Sequence, residues 1–299
     1  MDDSVMQNYL KAGKIASKTV EYARSIVKPG KPLLQMAEAI ESKIAELGAN
    51  AAFPVNLSLN NVAAHDTPAP DDARVLGERD LLKVDIGVHV DGCIADCAFS
   101  YSADPGHDKL IEASRAAVEA AVKAIRPGAV SRDVGKAISD AITLRACNPI
   151  ANLCGHSLGR YEVHAGEEVP NVPQGSYIFA KDDVFAVEPF ATTGVGVVRD
   201  LPGCQIFRVG EGKSRLAQSR QLQKHAEKYS GLPFCKRWLA RDLGLPKTQL
   251  DLSIHDLSRC GGFLAYPPLG EKTGELVSQA ETTVIVTEKG AVSTVQSIV

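Results

Sequence analysis

Apolar or small residues recur at Leu10, Gly13, Ala16, Val20, Ala23 and Val27, which predicts a helix over about 7–27 with one stripe turned to a core. Lys28-Pro29-Gly30 ends it, since proline has no amide to donate and glycine frees the backbone. A second helix is predicted over about 33–47, closed by Gly48. After a polar loop, two largely apolar runs at 81–90 and 93–101 flank Asp91-Gly92, a dipeptide suited to the two-residue turn of a hairpin. Helices follow over about 109–125 and 132–145, separated by Arg126-Pro127-Gly128, with Val134, Ile138 and Ile142 on one face of the second.

Helix, Pro-Gly break, helix and strands therefore occur twice, offset by 98 residues. Pro29-Gly30 matches Pro127-Gly128, Ala39-Ile40 matches Ala137-Ile138, Ile44 matches Ile142 and Asn50 matches Asn148, while Lys28 and Arg126 agree in charge. The repeat predicts a pseudo-twofold α+β architecture.

A chain of 299 residues, 44% hydrophobic and 23% charged, has the make-up of a globular protein with an ample core. No run approaches the roughly 18 apolar residues of a membrane span. The opening MDDSVMQNYLKAGK is polar and acidic where a signal peptide needs a basic start and an apolar run, so the expected location is the cytoplasm. Seven scattered cysteines form no CxxC pair and are expected to be reduced, mostly as small buried apolar residues.

Charge is unevenly spread. Residues 208–247 hold ten Lys or Arg against three acids, a net +7 in a chain of net −3, which leaves −10 for the remainder. A separate structural unit is expected at about 203–266, set between 1–202 and 267–299. It reads as three short helices near 214–229, 234–242 and 247–260, followed by a strand-like FLAYPPL, with Trp238 and Leu239 in a small core. A solvated basic face is one reading of the patch. The other is attraction to ribosomal RNA, through residues such as Lys224, Lys228, Lys236 and Arg237.

Candidate chemistry starts in the hairpin, KVDIGVHV-DG-CIADCAFS. A two-residue turn at Asp91-Gly92 sets Asp85 opposite Ala98, with Asp96 two residues along on the same sheet face. The two carboxylates are then diagonal neighbours, roughly 7–8 Å apart at the backbone. Two ionised acids on an apolar face are costly without a cation, and a metal pair about 3.5–4 Å apart would fit between them. The plainer reading is a solvated acidic face, which Gly87 and Ile94 on that parity weaken. Further donors follow: His156 and His164 in GHSLGRYEVHAG, Glu188 ending an apolar run in DVFAVEPFAT, and Glu281 opening another in SQAETTVIV. Asp85, Asp96, His156, Glu188 and Glu281 make a one-imidazole, four-carboxylate set, which suits Mn, Fe(II) or Co better than a structural zinc site.

KVDIGVHVDGCIADCAFS, PIANLCGHSLGRYEVHAG, VFAVEPFAT and SQAETTVIV closely resemble the motifs of the methionine aminopeptidases, in the creatinase and prolidase superfamily. FPVNLSLNNVAAHDTP resembles that family's segment carrying a substrate-side histidine, here His65. The resemblance spans nearly the whole chain. It includes a helical insertion before the last ligand that marks type 2 enzymes and resembles a winged helix. The short N-terminus resembles that of archaeal members. The resemblance implies the pita-bread fold, a curved antiparallel sheet with helices on its outer face, and removal of the initiator methionine from nascent proteins when the second residue is small.

It also implies roles. Asp85 would chelate one divalent metal, His156 and Glu188 the other, with Asp96 and Glu281 bridging; Mn, Fe(II) or Co is expected and Zn is admissible. The metals would share a water or hydroxide as nucleophile, with Glu188 as general base. His164 would contact the scissile amide and His65 would line the site. Phe53, Phe190 and Tyr266 match positions around the methionine side chain, although plain core aromatics read almost equally well. The chain departs from the family in having Glu281-Thr282-Thr283 where Glu-His-Thr is usual, which puts hydrogen bonding around the metals in question. His89, His107, His225 and His255 fit no motif and are expected to be surface or structural residues. Two other functions compete: an X-Pro dipeptidase, whose usual residues around the last acid SQAETT lacks, and an inactive homologue that binds RNA or protein. A monomer with no membrane contact is expected.

Overall fold

The computed structural model describes residues 1–296 and 298. Helix α1 (Asp3–Ile26) is capped by Asp2, whose side chain accepts from the Val5 amide at 2.9 Å. Helix α2 (Leu33–Glu46) follows the Pro-Gly break, where Gly30 takes φ 82°, a left-handed conformation that glycine adopts without strain. Both helices cover one face of an antiparallel sheet made of Asn50–Ala51, Leu81–Val90, Asn56–Leu59 and Cys93–Ser102. The long hairpin has the register that its turn predicts, from Val90 opposite Cys93 to Leu81 opposite Ser102. Leu82, Val84, Ile86 and Val88 share a core with Ala16, Val20, Ile40 and Ile44 of the two helices. Each such buried aliphatic contributes about 1.5–3 kcal/mol relative to exposure. Alternation then sends Lys83, Asp85, Gly87 and His89 to the other face.

The second half repeats the plan. Helices α3 (Asp108–Ala124) and α4 (Ser131–Thr143) share a core with Phe185, Val187, Val284 and Val286. Those residues belong to a five-stranded antiparallel sheet ordered Gly290–Ser293, Thr282–Thr287, Val184–Val187, Cys154–Ser157 and Glu168–Pro170. The two sheets are joined at a bridge, where Glu281 N donates to Ala98 O at 2.9 Å and Ala98 N to Glu281 O at 3.2 Å. Two helix pairs on two joined sheets are the α+β arrangement that the 98-residue repeat predicts.

Residues 203–266 carry α5 (Ala217–Ala226), α6 (Lys236–Leu243) and α7 (Lys247–Arg259). They also carry a three-stranded sheet in which Ile206–Val209 lies between Phe234–Cys235 and Phe263–Tyr266. Phe207, Leu222, Phe234, Trp238, Leu239 and Phe263 form its core. The middle helix starts two residues later than its composition suggests, because Phe234 and Cys235 pair with Phe207 and Ile206 as strand. Its surface is less basic than the charge count implies. Lys228 and Arg241 pair with Asp242, Lys236 with Asp251, Arg237 with Glu41 and Lys247 with Asp71. Three of those acids lie outside the 208–247 window, so a count along the chain misses them. Arg237, expected on the basic face, is buried.

All seven cysteines are free, four of them buried. Among the described residues no helix is long and apolar enough to cross a membrane.

Candidate metal centre

The sheet face turned away from the helices carries the acids. Asp85 pairs with Ala98 and Asp96 with Gly87, the diagonal arrangement read from the hairpin. Glu281, at the bridge between the sheets, is brought beside them and is 1% exposed. His156 lies on Cys154–Ser157 opposite Ala186, and Glu188 directly follows Val184–Val187. His156 Nε2 therefore sits 3.5 Å from Glu188 Oε1 and 3.8 Å from Asp96 Oδ2. Donor atoms of Asp96, His156 and Glu281 all lie within 4.8 Å of one another.

The electrostatics favour either protonated acids or a bound cation. Burial pushes the Asp85 carboxyl up to about 7. Burial, then the charges of Asp85 and Glu188, drives Asp96 well above the usual carboxylate range. Glu188 rises through burial and Asp85, and Glu281 through burial, Asp96 and Glu188. Burial, reinforced by His164, lowers His156 to about 3, so it is a neutral imidazole able to coordinate. Asp85 Oδ1 and Asp96 Oδ1 are buried without a hydrogen-bond partner among the described residues. Four acids that repel one another, orphaned carboxylate oxygens and a neutral imidazole fit a divalent metal centre.

Two neighbours were not legible as site residues. Gln279 Nε2 donates to Glu188 Oε2 and Glu281 Oε2, both at 3.4 Å. Its one sequence signal is an amide two residues before the last acid in SQAETT. Thr283 Oγ1 accepts from Asp96 N at 2.7 Å and donates to Asp96 O at 2.9 Å, which locks the two sheets together beside the acids. Thr282, which stands where the family usually has histidine, is fully buried with its hydroxyl 2.6 Å from Ser293 Oγ. That hydroxyl meets the neighbouring strand Gly290–Ser293.

The acids open onto a small cavity of about 50 Å³. His65, His164 and Tyr266 border it, with ring centroids 5.7 Å apart for His65–Tyr266 and 6.1 Å for His164–Tyr266. The His164 ring also lies 4.3 Å from that of His156, tilted by 56°. Burial, then His164, holds His65 down at about 4. His65 has φ 62°, a costly conformation for a residue with a Cβ. Phe53 and Asn56 line the cavity, as do Ile206 and Pro233 from residues 203–266. Phe190 does not border the cavity. It is 1% exposed and packs with Ala63, Ile150 and Val277. Simple alternation from Glu188 would aim it at the site, but Pro189 separates two strands of different sheets, so the parity does not carry across. His89 is buried rather than superficial and accepts from Gly92 N, while His107 contacts Ser102 and His225 contacts Asp242.

Residues 7–216 match the model of metallopeptidase family M24. A methionine aminopeptidase of Pyrococcus horikoshii is 46% identical over 95% of this chain and 97% of its own length. Among solved structures, a thermophilic Arx1 superposes with a TM-score of 0.87 at 17% identity, covering 99% of this chain and 91% of its own. A methionine aminopeptidase from Thermotoga maritima gives 0.71 at 20% identity, covering 98% and 97%. At such identities these two establish the fold alone, which is the pita-bread fold. The chain belongs to the metallopeptidase family M24. Its identity over almost its whole length to a curated relative sets it among the methionine aminopeptidases of that family.

Proposed function

We propose that this chain hydrolyses the first peptide bond of proteins that begin with methionine and a small second residue, in the cytoplasm. The observation that carries the reading is the convergence of Asp96, His156 and Glu281 at the floor of a cavity bounded by Phe53, His65 and Tyr266. Asp85 would hold one divalent cation, His156 and Glu188 the other, and Asp96 and Glu281 both. Mn, Fe(II) or Co suits this carboxylate-rich set, with Zn also admissible. A pair of divalent cations supplies an activated water near neutral pH.

The side chains do the rest. Glu188 takes the proton of the attacking water as its oxygen bonds to the carbonyl carbon. That proton goes to the leaving amino group as the C–N bond breaks, so the balance closes. His164 contacts the scissile amide, and neutral His65 lines the pocket beside the reacting group. Phe53 and Tyr266 flank the methionine side chain and exclude water from it. Contact with ribosomal RNA through the insertion is part of the proposal in a reduced form, resting on Lys213, Arg215 and Lys224. These three are exposed and form no ion pair among the described residues.

The test is methionine release from Met-Ala-Ser by protein stripped of metal and resupplied with Mn, Co or Fe(II), beside Met-Leu-Ser and Ala-Pro. Metal-dependent cleavage of Met-Ala-Ser alone is expected. Cleavage of Ala-Pro alone would indicate a dipeptidase, and no cleavage with any metal would leave a binding module.

A further inference from the structure

Two stretches of the cavity wall are tied to each other and to an ion pair outside the cavity. Phe53 and Asn56 belong to one stretch, Ala64 and His65 to the other. Leu57 N donates to Asp66 O at 2.7 Å, and Thr67 Oγ1 to Val55 O at 2.8 Å. Glu41, on α2, accepts from Val55 N at 3.2 Å. The same carboxylate accepts Arg237 Nη1 at 2.7 Å, Arg237 Nη2 at 2.9 Å and Trp238 Nε1 at 2.9 Å, all from the insertion. Arg237 also donates to Pro68 O and Thr67 Oγ1, both at 3.3 Å. The side chains of Arg237 and Glu41 are 4% and 9% exposed.

Stability alone does not account for this pair. Desolvating two charges offsets most of their attraction, and apolar replacements of similar volume are often as stable. What an apolar contact cannot supply is direction. The pair makes hydrogen bonds with both cavity stretches, at Val55 on one and at Thr67 and Pro68 on the other. His65, immediately before this clamp, holds a left-handed conformation that persists only where its surroundings over-determine it. Misplacing a group that borders substrate by about 1 Å can cost a hundredfold in rate.

We propose that Glu41 and Arg237 are positioning residues for the aminopeptidase reaction, through which the insertion sets Phe53 beside the methionine side chain and His65 beside the reacting group. The proposal rests on the aminopeptidase reading, but half of its test does not. Amide hydrogen exchange is compared in the full-length wild type, R237K and the apolar double variant E41L/R237M. Lysine keeps the charge and loses the two-pronged geometry. Exchange over 53–68 is expected to quicken by about tenfold or more in both variants while strand Leu81–Val90 stays protected. In parallel, KM for Met-Ala-Ser rises about tenfold, beyond any fall in kcat.

A merely structural pair would lower the folded fraction, so apparent kcat would fall at constant KM. Wild-type exchange over 53–68 in folded R237K, or an unchanged KM, overturns the proposal. If the double variant fails to fold, R237K decides alone. If the wild type cleaves no peptide, the aminopeptidase reading fails and the exchange data still decide whether the pair positions the wall.

Discussion

A Cβ added to Gly87 would lie 2.3 Å from Cε1 of Phe53, so it is the glycine that lets this ring lie across the strand next to Asp85 and Asp96. Gly87→Ala must displace the ring, which packs in a cluster with Ile94 and Leu158. The expected result is a loss of about 1–3 kcal/mol of stability from overpacking. The KM for Met-Ala-Ser should rise about tenfold with metal affinity unchanged. Steady-state kinetics beside a calorimetric metal titration checks this. An unaltered KM would remove Phe53 from the methionine pocket.

Gln279 reaches Glu188 and Glu281 but coordinates nothing in the proposed set. An amide that orients two ligand carboxylates tunes metal affinity from outside. Gln279→Leu is therefore expected to weaken divalent metal binding by about 10–100-fold, the usual cost of losing such a partner. Calorimetry on metal-free protein measures it directly, and wild-type affinity would show that Gln279 is only a packing residue.

The legible parts of the site were those that short-range rules carry. The Asp91-Gly92 turn dictates a hairpin register, and the register dictates that Asp85 and Asp96 share a face. Pro-Gly breaks and helical stripes likewise foretell α1 to α4. What was not legible depends on pairings between distant segments. Phe190 matches a pocket position by resemblance alone, yet it packs with Ala63, Ile150 and Val277 because the chain enters another sheet after Pro189. Thr283 acts through Asp96, which is 187 residues away. Arg237 reads as one more surface cation until Glu41, 196 residues earlier, is seen to enclose it.

Stripping the metals should make stability fall as pH rises. Carboxyls with a raised folded pKa bind protons in the native state that the unfolded chain has already released, so stability declines with pH up to the folded value. Asp85 alone, at about 7, sets a window between about 4 and 7 worth on the order of a few kcal/mol. His65 and His156, lowered to about 4 and about 3, oppose this below their ordinary 6.5, since the unfolded chain then binds the extra protons. Above pH 6.5 the histidines no longer oppose the decline, while buried Lys83, held well below its ordinary range, opposes it with or without metal. Thermal scans from pH 6.5 to 8 should therefore show the Tm of chelator-treated protein falling relative to that of Mn-saturated protein. A constant difference between the two profiles would mean that the acids are solvated.

Charge reversal separates the insertion's two roles. Lys213, Arg215 and Lys224 are exposed and form no ion pair among the described residues, whereas Arg237 is buried against Glu41. If the insertion meets ribosomal RNA, changing those three to Glu weakens cosedimentation with ribosomes and flattens its dependence on salt. The slope shrinks by about 0.7–0.9 for each phosphate that is no longer neutralised. Turnover of Met-Ala-Ser stays at the wild-type rate, because a short peptide needs no docking surface. Arg237→Glu gives the opposite pattern, since it sets two buried carboxylates against each other beside Val55 and damages turnover first. Cosedimentation unchanged by the triple reversal would end the RNA proposal and leave the patch as a solvated face.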